Sequence, residues 1–131
     1  MTQIESQERL IPQNQAQLFS FLCNFNNFEN LMPDKVTNWT STENSCYFNI
    51  AGIANLGMKI IEKKEPSFIK IIHDGKVPFN FDFFIHIQEK DQQHSLVKLE
   101  FNAELNAMLK MVAVKPLNQF LEDLLDQLEK L

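Results

Sequence analysis

The chain has 131 residues, 44% of them hydrophobic and 22% charged, and a net charge of −5. That length holds one domain, spanning 1–131, with room for a sizeable core. The acidic balance argues against nucleic acid and against an anionic membrane surface, since both are bound through basic faces. Phenylalanine is in excess, 12 against one Trp and one Tyr, and a ring with no polar handle belongs in a core or along an apolar pocket.

Residues 2–10 predict a strand with Ile4, Ser6, Glu8 and Leu10 on one face, ended by Pro12. Asn14 is placed to cap a helix over 15–23, whose apolar side is Leu18, Phe19, Phe21 and Leu22. A second short helical turn carries Phe28, Leu31 and Met32 and stops at Pro33. The hydrophobic period then changes to two. Strands are predicted over Val36 to Ser41, Cys46 to Ile53, Met58 to Lys64 and Phe68 to His73. Turns fall at Glu43-Asn44-Ser45, between Gly52 and Gly57, at Glu65-Pro66-Ser67 and at Asp74-Gly75.

The clearest alternation lies in 79–88 and 95–105, where Phe79, Phe81, Phe83, Ile85 and Ile87, then Val97, Leu99, Phe101, Ala103 and Leu105, share one face. Strands with one apolar and one wet face form antiparallel sheets. The inward set also takes in Phe48, Ile50, Met58, Ile60, Ile69 and Ile71. Residues 106–130 predict a long helix capped by Asn106. Its second half is amphipathic, with Leu117, Phe120, Leu121, Leu124, Leu125 and Leu128 on one side. Its first half is rich in Met108, Leu109, Met111, Val112 and Val114, and is expected to wall a cavity. Pro116 predicts a kink or a break, since it lacks an N–H and crowds the Val112 carbonyl.

Chemistry is thinly marked. His73 would face inward with Ile69 and Ile71 and act as a general acid or base, against the plainer reading of a strand-end histidine beside Asp74. Glu62 continues the Leu56, Met58, Ile60 face inward. Trp39, Tyr47 and Asn49 are candidate hydrogen-bond donors to a ligand. His86 is expected on the outer face and His94 in a loop, so the three histidines do not converge and neither a metal nor a cofactor is expected. Ser20 and Cys23 lack a basic neighbour, and no nucleophile is paired with a base. Cys23 and Cys46 lack CxxC spacing and read as free thiols. With no basic leader at Met1-Thr2-Gln3-Ile4-Glu5 and no apolar run of membrane length, a cytoplasmic protein without membrane insertion is expected.

The order of strand, two short helices, six strands and long helix resembles the START-like (SRPBCC) superfamily of polyketide cyclases, lipid-transfer domains and plant pollen-allergen-like proteins. Carrying the resemblance are Leu10-Ile11-Pro12, Leu18-Phe19-Ser20-Phe21-Leu22, Asn30-Leu31-Met32-Pro33, Phe48-Asn49-Ile50-Ala51-Gly52 and the closing helix. It implies an α+β helix-grip fold: a curved antiparallel sheet of about seven strands around a long C-terminal helix, with two short helices between strands 1 and 2. It also implies an apolar ligand held between sheet and helix. The glycine-rich loop of the plant members has no counterpart, because the glycines are only Gly52, Gly57 and Gly75.

The expected function is therefore binding of a hydrophobic small molecule, such as a lipid, isoprenoid or aromatic metabolite, without catalysis. Its expected lining is Phe48, Ile50, Met58, Ile60, Ile71, Phe81, Phe83, Phe101, Met108, Met111 and Val112. One alternative is a cyclase- or dehydratase-like enzyme using His73 and Glu62; another is a protein-interaction module using the acidic face or the closing helix. The expected state is a monomer or weak homodimer.

Overall fold

The computed structural model describes residues 1–131. The chain runs β1 (Thr2–Glu5), β2 (Arg9–Ile11), α1 (Gln15–Leu22), two single-turn 3-10 helices (Phe25–Asn27 and Glu29–Leu31), then β3 (Val36–Ser41), β4 (Ser45–Ile50), β5 (Ala54–Lys64), β6 (Phe68–His73), β7 (Phe81–Asp91) and β8 (His94–Ala103). Helix α2 (Ala107–Glu129) closes it. The strands form one antiparallel sheet in the order β1-β8-β7-β6-β5-β4-β3, and β2 pairs with β8 beyond the end of β1. This is the expected α+β helix-grip architecture, with eight strands because 2–10 is two strands rather than one.

The break has a local cause. Ser6 turns inward, donates its N–H to the Leu99 carbonyl (2.9 Å) and accepts the Leu99 N–H on its Oγ (2.8 Å). Glu5 pairs with Glu100 but Arg9 with Val97, so this side of the ladder holds one extra residue. A one-residue bulge reverses the side-chain parity. Ile4 and Ile11 therefore face the core, while Glu8 and Leu10 are exposed, against the expected single face.

Both helices start where the sequence places them. The Asn14 Oδ1 accepts the N–H groups of Ala16 (2.9 Å) and Gln17 (3.2 Å), and the Asn106 Oδ1 accepts that of Leu109 (2.9 Å). Such caps satisfy donors that the first helical turn cannot pair internally. Leu117, Phe120, Leu121, Leu124, Leu125 and Leu128 of α2 are buried in one cluster with the inward face of the sheet. The helix is also clamped by the sole arginine. Arg9 Nη2 donates to Glu122 (2.7 Å), and Nη1 donates to Asp126 (2.7 Å) and Glu129 (3.1 Å).

Helix α2 runs through Pro116 without a break. The missing N–H leaves the Val112 carbonyl without its helical donor. Val112 is 53% exposed, so solvent can serve that carbonyl and the helix need not end.

Candidate functional site

The space between the sheet and α2 is lined almost wholly by apolar side chains. Phe48, Ile50, Met58, Ile69, Ile71, Phe79, Phe81, Phe83, Ile85, Val97, Leu99, Phe101 and Ala103 are all buried, as the alternation requires, and Ile60 is half-buried. The rings interlock: Phe81 stacks on Phe101 at 4.8 Å between centroids, and Phe83 tilts against Phe101 at 6.0 Å. A second aromatic column crosses the other half of the fold. Phe28, Trp39, Phe48 and Phe120 stack in sequence at 6.5, 5.1 and 6.4 Å, joining the turn between the two 3-10 helices, β3, β4 and α2.

A bulge puts Trp39 in that column. Thr37 pairs with Asn49 and Thr40 with Tyr47, so Asn38 and Trp39 together oppose Phe48. Asn38 takes a left-handed backbone, φ 58°, which a non-glycine residue adopts rarely and which Asn tolerates best. The Trp39 indole N–H is sealed from solvent and donates to nothing. A buried donor without an acceptor costs its desolvation, on the order of 1–3 kcal/mol. The Thr2 hydroxyl is in the same position.

The two candidate catalytic residues do not converge. The β5–β6 register slips by one between Ile60 and Glu62. Glu62 consequently stands opposite Lys70 on the outer face, 3.4 Å from Lys64 Nζ, and not inside the fold. His73 is half-buried at the end of β6, and its Nδ1 lies 3.2 Å from the Phe81 backbone nitrogen. It closes the β6–β7 ladder one residue past Ile72–Asp82, a structural task for a strand-end histidine. His86 lies outside, 3.4 Å from Glu100, and His94 sits 2.8 Å from Asp91. Burial pushes the Cys46 and Cys23 thiols up, which suppresses the thiolate each would need to react. Of the candidate donors, Tyr47 and Asn49 point outward and Trp39 points inward.

Placement of Met108, Met111 and Val112 on the inner wall is overturned. They are 76%, 85% and 53% exposed. The buried stripe of α2 continues instead through Leu117 and Ala113 towards the half-buried Leu109. Stepping back by four from Leu117 would have found it; the apolar content of 107–114, which surrounds the helix, hid it.

Five depressions mark the surface, all open to solvent, and none is lined by both α2 and the inward residues of the sheet. The largest, about 420 Å³, lies beside Gln13, Gln17, Leu18, Phe21 and Leu131. The interior is thus packed as it stands. Its chemistry is shape and apolar area, with the Trp39 N–H as its directed donor. No helix is long and apolar enough to cross a membrane.

No protein-family model and no curated protein sequence matches the chain. Solved structures do. The protein XoxI from Bacillus cereus superposes with a TM-score of 0.79 at 14% identity, over 99% of this chain and 94% of that one. A START superfamily protein from Mycobacterium smegmatis gives 0.75 at 13% identity, over 98% and 94%. Norcoclaurine synthase from Thalictrum flavum, in complex with dopamine and hydroxybenzaldehyde, gives 0.72 at 11% identity, over 98% and 84%. The fold is START-like, as the order of elements resembles.

Proposed function

We propose that the chain binds a small apolar molecule bearing an aromatic ring and a hydrogen-bond acceptor, between the sheet and α2, without catalysing a reaction. The carrying observation is the indole N–H of the half-buried Trp39, a shielded donor with no partner where the ring packs against the apolar core. A guest carbonyl or hydroxyl oxygen would satisfy it, and the edges of the Trp39 and Phe48 rings would flank the guest ring. The lining is Phe48, Ile50, Met58, Ile71, Phe81, Phe83 and Phe101, with the half-buried Ile60 at its margin. Norcoclaurine synthase, of the same fold, holds two aromatic small molecules, which supports this choice of guest.

Entry requires α2 to part from the sheet, and the helix is built unevenly for that. Its second half is held by six buried apolar side chains and the Arg9 clamp, its first half by Ala113 and the half-buried Leu109 and Val114. Pro116 lies between the halves and lacks the N–H that would couple them. Opening of the weakly held half is the least costly local fluctuation.

The test uses the sole tryptophan. Hydroxybenzaldehyde and naphthol, titrated against purified protein, should quench Trp39 emission saturably. Trp39→Phe keeps an aromatic ring and removes the donor; followed by isothermal titration calorimetry, since no tryptophan is left to quench, it should weaken binding by about fivefold, the value of one hydrogen bond of about 1 kcal/mol. Naphthalene, which has no acceptor, should lose far less. Absence of saturable quenching by every apolar aromatic, with no guest released on organic extraction, would overturn the reading.

A further inference from the structure

The geometry points to a second site on the opposite side of β4, for a small neutral polyol or sugar ring. A depression of about 180 Å³ lies where β3, β4, β5 and the β6–β7 loop meet, bordered by Asn38, Tyr47, Asn55, Gly57, Asp74 and Lys76. Phe48 and Leu56, whose side chains belong to the core, also line it, but the polar rim does not depend on the function proposed above.

The site is held in shape by its own contacts. The Tyr47 hydroxyl donates to Asp74 Oδ2 at 2.6 Å, and the Asp74 N–H donates to the Gly57 carbonyl at 2.8 Å. A Cβ on Gly57 would collide with the Asp74 carbonyl oxygen and come within 2.7 Å of the Tyr47 ring, so only glycine allows this floor. Asn55 Oδ1 accepts the Asn49 amide at 3.0 Å, which fixes its orientation and leaves its own N–H groups free. The Asn38 carboxamide makes no hydrogen bond, although its backbone is held in a strained left-handed conformation at the rim.

Charge and hydrogen-bond capacity select the ligand. Asp74 repels an anion and Lys76 a cation, so neither ion is well matched to the whole rim. Free amide and ammonium donors face a carboxylate with spare acceptor capacity. Hydroxyl groups both donate and accept, and answer all of these at once. The volume and polarity suit one ring and leave no room for a chain, and Tyr47, 46% exposed, supplies an apolar surface beside it.

The test is amide NMR of the full chain titrated with glucose, inositol and glycerol, with inorganic phosphate and acetate as the anionic arm. A polyol should give saturable shifts in the millimolar range, confined to residues 38, 47, 55–57 and 74–76. Asn55→Leu should weaken binding about 30-fold, since two donors are lost. Asn38→Gly, which relieves the backbone and removes only the amide, should weaken it with the fold intact. Lys76→Met, which removes the ammonium donor, should weaken it about fivefold, whereas Lys110→Met on the exposed side of α2 should leave it unchanged. No saturable shift with any polyol would overturn the inference. So would shifts produced by phosphate or acetate and abolished by Lys76→Met, which would make this an anion site.

Discussion

Replacing Phe120 by alanine removes the α2 ring from the Phe28–Trp39–Phe48–Phe120 column. Phe120 is 5% exposed and stacks on Phe48 at 6.4 Å. Buried Phe→Ala changes cost about 3–5 kcal/mol, a transfer part plus a part that grows by roughly 24 cal/mol per Å³ of space the structure fails to close. Closure is restricted on both sides of Phe120. The strand side is pinned by the β3–β4 ladder, and α2 is pinned by Leu117, Leu121, Leu124 and the Arg9 clamp. The upper half of the range, about 4 kcal/mol, is therefore expected. A domain of this size has about 5–15 kcal/mol in total, so the variant should fold in the cold and melt about 12–20 °C lower. Urea unfolding followed by Trp39 emission measures the loss and reports the ring's changed surroundings together. Indole at ten times its Kd should restore about 1.4 kcal/mol by filling the gap. A loss under about 1.5 kcal/mol, or unchanged folded-state Trp39 emission, would show that Phe120 does not complete the column.

Arg9→Ala should cost about 1–2 kcal/mol in urea at low salt, because each of its three carboxylate partners is about half exposed and the pairs are screened. The loss should shrink near 1 M salt, and Arg9→Lys should recover less than half of it, since one ammonium cannot span the three. Tyr47 is the only tyrosine, and the Asp74 carboxylate that accepts its proton raises its pKa, so near-ultraviolet titration should show a phenol ionising above the ordinary value of about 10. Asp74→Asn should bring it down; this contact's share of stability is complete below the unfolded value and fades as pH rises through the folded one. In hydrogen exchange, the amides of 111–115 should exchange faster than those of 120–128, and equal protection would remove the argument for opening at Pro116.

The elements that could be read from sequence are those where one rule acts alone. Strict alternation in 79–88 and 95–105 placed Phe79 to Ile87 and Val97 to Ala103 inward, because one face is buried and a register slip would expose it, while Leu105, past the end of β8, is only half-buried. Asn14 and Asn106 marked helix starts because their side chains have one local task there. The errors gather at bulges. The irregularities at Ser6–Glu8 and at Ile61 each reverse parity, and with it the expected directions of Leu10 and Glu62. Neither carries a glycine or proline to announce it, since each is settled by the partner strand. The first half of α2 failed for another reason: a segment apolar all round gives periodicity no face to choose. The polar rim at Asn38, Asn55 and Lys76 is assembled from three distant segments, so no local motif encodes it.

β3 ends the strand order with nothing beyond it. A free edge offers a row of unpaired N–H and C=O groups to any passing strand, and sheets left straight there stick to one another. Here the left-handed Asn38 interrupts that row in its middle, leaving no more than a few consecutive groups in register on either side. Deleting Asn38 would straighten the edge while leaving Trp39 opposite Phe48 on the inner face, so that a single lost residue would convert an edge that resists other chains into one that recruits them.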